Sequence, residues 1–321
     1  MDTPVELKPS LVKKNNIISG WQQNLHFIKK NYQLYLLVLP AVIYFIIFKY
    51  IPLYGIQIAF KNFSPVKGFW GSPFVGLAHF ERYFNSADFW MLIKNTLGIS
   101  FFSLALGFPL PIILALLLNQ MDSRRYRSVF QTVVYAPHFI SLVVIVGMIQ
   151  VFLAPQTGIA NLIIKEMGFE PIFFMGKPEY FKSIYVVSGL WQNVGWDSVI
   201  YLAALAGINP ELYESAMVDG ANKLHRILHI DIPGIMPTAI ILLILNSGQL
   251  LSVGFEKAYL MQNSLNRMTS EIIQTYVYKQ GLLQGQFSYA TAIGLFDAVV
   301  NLMILLMVNK LSKTYSESSL L

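Results

Sequence analysis

The sequence contains no cysteine. That removes disulfide scaffolds, thiolate zinc sites, iron–sulfur clusters and cysteine nucleophiles together. It is also poor in charge. Only 12% of its 321 residues are Asp, Glu, Lys or Arg, and 55% are hydrophobic. Soluble globular proteins average about 25% charged residues, so half that amount cannot cover a water-soluble body of this size. An all-α polytopic membrane protein is the natural reading, and disorder, collagen-like repeats and a coiled coil are excluded by the same figures. No internal repeat separates the chain into copies. No Gly-x-x-x-x-Gly-Lys-[Ser/Thr] phosphate loop is present; the nearest candidate, Gly176-Lys177, runs into Pro178 and lacks the spacing. The formal charge of +6 is small and spread over connecting segments, which fits anionic lipid head groups and not nucleic acid.

A helix needs about 20 mostly apolar residues to cross a bilayer core. Six such runs occur, within 34–60 and 92–118 and near 132–153, 183–206, 237–260 and 289–308. The first thirty residues are polar, with Lys8, Lys13, Lys14, Lys29 and Lys30, and lack the apolar core and cleavage site of a secretory signal. The first span is therefore expected to be retained. The expected layout is a tail over 1–33, a membrane domain over 34–310, and a second tail over 311–321. Six spans put both termini on one side. With the termini inside, twelve of the 23 Lys and Arg fall in cytoplasmic segments and ten outside, with Lys49 in the first run. That difference is slight, and the clusters Arg124–Arg127 and Lys29–Lys30 beside span ends favour termini inside more than the totals do.

Prolines 40, 109 and 111 sit within runs and imply kinks that neighbouring helices must compensate. Gly207 follows the fourth run as a helix-terminating glycine. Asn209, Pro210 and Glu211 then read as N-cap, N1 and N2 of a new short helix. In that helix Leu212, Ala216 and Val218 to Ala221 are expected to share one face, with Glu211, Glu214 and Ser215 on another. Gly220 marks a break, and a second short helix is expected over about 222–229 before Pro233 and Pro237 lead into the fifth span. His225 and His229 lie four apart, but no Glu follows the first and no third ligand is near, so no metal site is assigned.

Polar residues inside spans are costly. The fourth run holds Trp191, Gln192, Asn193, Trp196 and Asp197, the fifth Asn246 and Gln249, and the sixth Asp297 and Asn301. Aromatic faces suit the C–H surfaces of sugars, and amides or carboxylates suit hydroxyls. The same residues equally suit interhelical hydrogen bonding and interfacial tryptophan belts. Both readings stay open. Ala290, Gly294 and Ala298, at four-residue spacing, point to close helix packing.

The segment between the fourth and fifth runs carries the most specific signal. Glu214-Ser215-Ala216 is followed by three residues and Gly220, then by nine residues and Ile230-Asp231-Ile232-Pro233. This resembles the coupling loop of binding-protein-dependent ABC importer permeases, whose pattern is Glu-Ala-Ala, three residues, Gly, nine residues, Ile-x-Leu-Pro. Two positions depart, Ser215 for Ala and Ile232 for Leu. Asn209-Pro-Glu-Leu-Tyr-Glu214 and Asp219-Gly220-Ala221 are similar to the carbohydrate-importing branch. The stretch from Tyr35 to Gly55 resembles permeases for complex oligosaccharides of the LplB and alginate-importer type.

The resemblance implies a type I ABC importer permease fold with six transmembrane helices, N- and C-termini cytoplasmic, and a coupling loop over 209–233 facing the cytoplasm. It implies that Glu214, Ser215, Ala216, Asp219, Gly220, Ala221, Ile230 and Pro233 form the ATPase-coupling element. It implies a permease that is not itself an enzyme, with ATP and Mg bound by two separate ATP-binding cassette subunits. Its further partners are a second, usually different, permease and an extracellular solute-binding protein. The location implied is the bacterial cytoplasmic (inner) membrane, and the substrate an imported oligosaccharide. The competing reading is a self-contained secondary transporter or channel, for which only Asp197 and Asp297 hint at a coupling-ion site. No paired catalytic motif supports an intramembrane enzyme.

Overall fold

The computed structural model describes residues 30–315, and the tails predicted over 1–33 and 311–321 lie mostly outside them. The regular structure of the described residues is helical, with no strand among them beyond one isolated bridge between Lys61 and Phe74. The chain divides into two compact units at Gln57 and Ile58. The first unit holds all but the last three residues of helix α1 (Tyr32–Phe60), an apolar helix whose Pro40 lies inside it. The second holds α2 (Phe89–Asn119), α3 (Arg124–Phe139), α4 (Leu142–Phe152), α5 (Pro178–Ala206), α6 (Pro210–Val218), α7 (Lys223–Ser247), α8 (Phe255–Met261) and α9 (Phe287–Tyr315).

Four helices, α1, α2, α7 and α9, are long and apolar enough to cross a membrane, and a fifth span results if α3 and α4 count as one broken element. At 29 residues α5 is as long, but its polar side chains dilute its hydropathy. Helices are the expected answer here, because a bilayer core leaves backbone N–H and C=O groups no other partner.

Two of the apolar runs are not the single spans that hydropathy suggests. The run near 132–153 is broken at Ile140 and Ser141, which are extended, and α3 and α4 meet at 96°. The run near 237–260 ends its helix at Ser247, and an irregular segment over 248–254 precedes α8. The short helix expected over about 222–229 is instead the first part of α7, which runs on unbroken into the span. Asn222 does cap it, accepting from His225 N at 2.8 Å.

Continuity through Pro233 has a physical cause. A proline has no N–H and its ring collides with the carbonyl four residues earlier. Just before Pro233 the helix widens into a π-turn over Ile227–Asp231, with Ile232 N bonded to Ile227 O. The same device stands before Pro52 in α1, where Ile46–Tyr50 form a π-turn and Ile51 N bonds Ile46 O. Pro109 and Pro111 lie at the joint between two segments of α2.

Three buried clusters hold the second unit together. One joins α2, α4, α5 and α8 through Ile99, Val146, Phe181, Val186 and Met261. One gathers Tyr83, Leu92, Tyr276, Tyr289 and Ile293 near the start of α2 and α9. The third packs Ala115 and Leu116 of α2 against Tyr201 and Leu205 of α5 and Ile235 and Ala239 of α7. Near the first end of α2, Glu271 is fully buried and held by Arg267 at 2.6 Å and Lys279 at 2.8 Å. The Glu271 carboxylate holds the Arg267 guanidinium above its ordinary range. Asn95 of α2 donates to the carbonyls of Met268 and Glu271, which fixes α2 to this cap.

Of the small residues expected to pack closely, Ala290 does, being buried with a Cβ on Gly281 only 2.8 Å from its own, while Ala298 is exposed and the tightest approach falls elsewhere. A Cβ on Gly294 would meet nothing within 4 Å, whereas one on Gly195 would stand 2.0 Å from Val134 O. Backbone cannot swing aside as a side chain can, so Gly195 sets how near α5 comes to α3. Gly195→Ala should lower stability by about 1–3 kcal/mol through overpacking. Gly294→Ala should be neutral or stabilising by up to about 1 kcal/mol from helix propensity. Thermal melts of the two purified variants in detergent check both signs.

Candidate functional site

The coupling-type segment folds as two capped helix ends back to back. Asn209 caps α6, its Oδ1 accepting from Glu211 N at 3.1 Å, as the Asn-Pro-Glu order predicts. At the other end Gly220 has φ +78°. Gly220 N donates to Met217 O at 3.1 Å, and Ala221 N to Ala216 O at 2.8 Å. This pair of bonds is the Schellman terminus, which needs a left-handed residue just past the helix. The spacing of the motif thereby gains a physical meaning. Ala216 supplies the carbonyl of the bond that spans more residues, and the glycine must come four residues later. Gly207, by contrast, caps α5 with φ −84° and needs no glycine-specific conformation.

α6 presents most of its surface outward. Glu214, Ser215, Met217, Val218, Asp219 and Gly220 are exposed, Val218 by 88%. Only Tyr213 and Ala216 turn inward to half-burial. The apolar face predicted over Leu212, Ala216 and Val218–Ala221 is therefore rotated, with only Ala216 and Ala221 half-buried from that set. Ile230 is half-buried and Pro233 exposed. Leu212, Met217, Val218, Leu224 and Leu228 form an exposed apolar surface around the motif.

Beneath α6 lies a group the sequence pattern did not single out. Asp231 is fully buried. Tyr213 OH donates to its Oδ1 at 2.5 Å, and Gln120 Nε2 to its Oδ2 at 2.9 Å. Burial first, then the bond to Asp231, raises the Tyr213 phenol well above its ordinary range, so it stays a donor at physiological pH. The available signal was the i, i+3 spacing of Tyr213 and Ala216, which defines one helix face. Nearby, Lys223 and Asp122 form an exposed ion pair at 3.1 Å, worth at most about 1 kcal/mol.

The second candidate region lines α5. Asp197 borders three cavities, of about 670, 280 and 490 Å³. Gln192 and Asn193 line the largest, together with Glu256 and Lys257. Asn246 and Gln249 line the second with Asp197, and Trp196, Asp197 and Asn246 the third. Asp197 is exposed in the isolated chain, not buried as its place in a span suggested. Asp197, Asn246 and Gln249 make no side-chain hydrogen bond among the described residues, so all three can bond a ligand. His138, which had no sequence signal, stacks on Trp196 with ring centroids 4.7 Å apart, and its Nδ1 donates to Asn193 Oδ1 at 3.0 Å.

Other polar residues of the spans serve the backbone. Gln192 Nε2 donates to Ile140 O at 3.2 Å, satisfying the break between α3 and α4. Asn301 Oδ1 accepts from Leu251 N at 2.9 Å, inside the irregular segment after α7. Gln274 donates to Leu251 O and to Asp297 Oδ2, the latter at 3.3 Å. Neither Asp297 nor Asn301 borders the three cavities, and Trp191 faces a separate apolar cavity of about 500 Å³ with Met148 and Phe152. Among the described residues no three His, Asp or Glu side chains converge as a metal site.

A bundle of apolar helices with polar cavities along one of them, and an exposed capped helix anchored on a buried node, is the build of a transport permease worked from outside itself. The chain belongs to the family described as binding-protein-dependent transport system inner membrane component, whose model matches residues 107–316. It is 42% identical over 293 residues to protein LplB of Bacillus subtilis, covering 91% of this chain and 92% of that one. It is 44% identical over 287 residues to the polygalacturonan/rhamnogalacturonan transport system permease protein YteP of the same organism, with 89% of each covered. The solved bacterial alginate ABC transporter in complex with an alginate pentasaccharide-bound periplasmic protein contains a chain that superposes with TM-score 0.84 at 42% identity. That match covers 92% of this chain and 99% of the other. The chain is thus the permease component of an ABC importer, an inner-membrane component that leaves ATP hydrolysis to a separate subunit.

The Schellman terminus can be probed at Gly220, where a Cβ would meet nothing but the φ is left-handed. Gly220→Asn should be tolerated better than Gly220→Ala, and Gly220→Val least, because asparagine visits this region most readily and β-branched residues least. The Ala strain is about 1–2 kcal/mol. Amide hydrogen exchange at Gly220 and Ala221 should quicken in that order.

Proposed function

We propose that this chain is one half of the membrane pathway of an ATP-driven oligosaccharide importer. Its relatives, named for polygalacturonan, rhamnogalacturonan and alginate transport, support an oligosaccharide cut from a polysaccharide as cargo. The full reading has six spans, with α5 and the α3–α4 pair each crossing once, and both termini in the cytoplasm of a bacterial cell. The 209–233 loop then faces the cytoplasm. A second, different permease completes the pathway, two ATP-binding cassette subunits bind ATP and Mg, and a solute-binding protein delivers sugar from outside.

The observation that carries the reading is the form of α6. A helix of nine residues is too short to be stable alone in water, so it must be held by what it packs on. Here one face is anchored by Tyr213 and Ala216, while Glu214, Ser215, Met217 and Val218 remain exposed. An exposed apolar surface framed by charge is the form of a protein-docking site. The ATPase groove fits there, with Glu214 set to pair a basic residue of that groove.

Asp197, Asn246 and Gln249, with Gln192, Asn193 and Trp196 beside them, are the proposed sugar-facing set. Trp191, Asp297 and Asn301 lie off the three cavities that Asp197 borders and are left out of it. Uptake in reconstituted vesicles, measured with a panel of alginate, galacturonan and rhamnogalacturonan fragments, should require ATP and be abolished by vanadate. Asp197→Asn and Asn246→Ala should each lower it about tenfold, the effect of one lost charged or polar contact. Trp191→Ala should change it less than about twofold. Uptake driven by a proton or sodium gradient through this chain alone would contradict the proposal.

A further inference from the structure

We propose that Asp231 is a positioning residue that passes displacement of α6 to the end of α2 through the chain Tyr213–Asp231–Gln120. The inference rests on the importer reading and deepens it by naming the link inside the permease. The family pattern leaves this position open, as the x of Ile-x-Leu-Pro, so the motif itself assigns Asp231 nothing.

The geometry is a three-way junction. Tyr213 lies on α6, Asp231 on the π-turn of α7, and Gln120 at the end of α2. Each carboxylate oxygen takes one bond from a different element, at 2.5 Å from Tyr213 and 2.9 Å from Gln120. The carboxylate is fully buried. No ion pair to Asp231 occurs among the described residues. Arg226, one turn earlier on α7, is the other charged group acting on Tyr213.

Burying a carboxylate with two hydrogen bonds and no partner cation is a poor way to gain stability. An apolar residue against the third cluster would pack as well. A site that breaks this rule without local gain is where function is expected. What the carboxylate supplies is direction. It accepts only, and charge-assisted bonds are short and stiff, so α6 cannot tilt without pulling on both α7 and α2. α2 then carries the motion away from the loop. Asn95, about 37 Å along the helix at 1.5 Å per residue, is where α2 joins the cap at its other end. The π-turn that carries Asp231 is a wider, poorer helical turn, so it offers a place for α7 to flex as the junction moves.

The test uses the complete transporter, with the second permease, the ATPase pair and the binding protein, reconstituted in vesicles. ATP hydrolysis and uptake of the same panel of fragments are measured in one preparation. Tyr213→Phe cuts the link from α6 to Asp231, and Gln120→Leu cuts the link from Asp231 to α2. In each variant, sugar moved per ATP hydrolysed should fall about tenfold, the size expected for losing a bond to a buried charge. The ATPase subunits should still co-purify in the unaltered amount. An unchanged ratio in either variant, whatever the absolute rates, overturns the proposal. So does loss of the ATPase subunits from both variants, since the junction would then hold α6 in place without transmitting anything. Absence of ATP-driven uptake by the unaltered transporter is a separate failure, that of the importer reading.

Discussion

Everything in this fold answers to the need of backbone amides for partners where no water is available. Unbroken helices meet it internally. At two breaks within apolar runs, between α3 and α4 and after α7, side chains from elsewhere in the chain take over. Gln192 serves Ile140 O between α3 and α4. Asn301 serves Leu251 N, Gln274 serves Leu251 O, and Tyr185 serves Gly254 O at 3.2 Å, all in the segment after α7. An unsatisfied group in hydrocarbon costs several kcal/mol, so these side chains are what permit the breaks. The breaks in turn open room for the polar cavities around Asp197.

This separates two kinds of polar residue that look alike in a hydropathy profile. Asn301 is spent on structure and Gln192 gives an amide donor to backbone while still lining a cavity, whereas Asp197, Asn246 and Gln249 keep their hydrogen-bonding capacity and point into space. Nothing in the sequence distinguishes them. The distinction depends on which residues of distant helices fall opposite, and a single chain does not display that. The 96° bend between α3 and α4 was hidden for a related reason. Ile140 and Ser141 do not interrupt an apolar run, and the residue that makes their conformation tolerable lies 52 positions away. The same is true of the segment over 248–254.

The coupling element was far more legible because its geometry is local. An Asn-Pro-Glu start and a glycine four residues past Ala216 specify a capped helix whatever lies around it, and the structure shows both ends as read. Local rules gave the ends but not which face turns inward. They place Leu212, Ala216 and Val218 together on one face with no side assigned to the core, and Tyr213 and Ala216 are the residues that turn in. On the proposed reading of this face as a docking surface, an apolar residue there obeys the partner's chemistry, and the partner is absent from the sequence. Asp231 was invisible for the opposite reason. It reads as one more charge in a polar loop, and only the convergence of Tyr213 and Gln120 on it reveals a junction.

The central claim is that α6 is a handle gripped from the cytoplasm by a separate ATPase. The absence of cysteine makes this directly measurable, because a single Val218→Cys change places the chain's sole thiol on the exposed face of α6. A membrane-impermeant thiol reagent should leave that thiol untouched in intact cells. It should label it in inverted vesicles stripped of the ATPase, and label it poorly once the ATPase subunits are added back. Labelling in intact cells, or labelling in inverted vesicles that added ATPase does not reduce, would contradict the account.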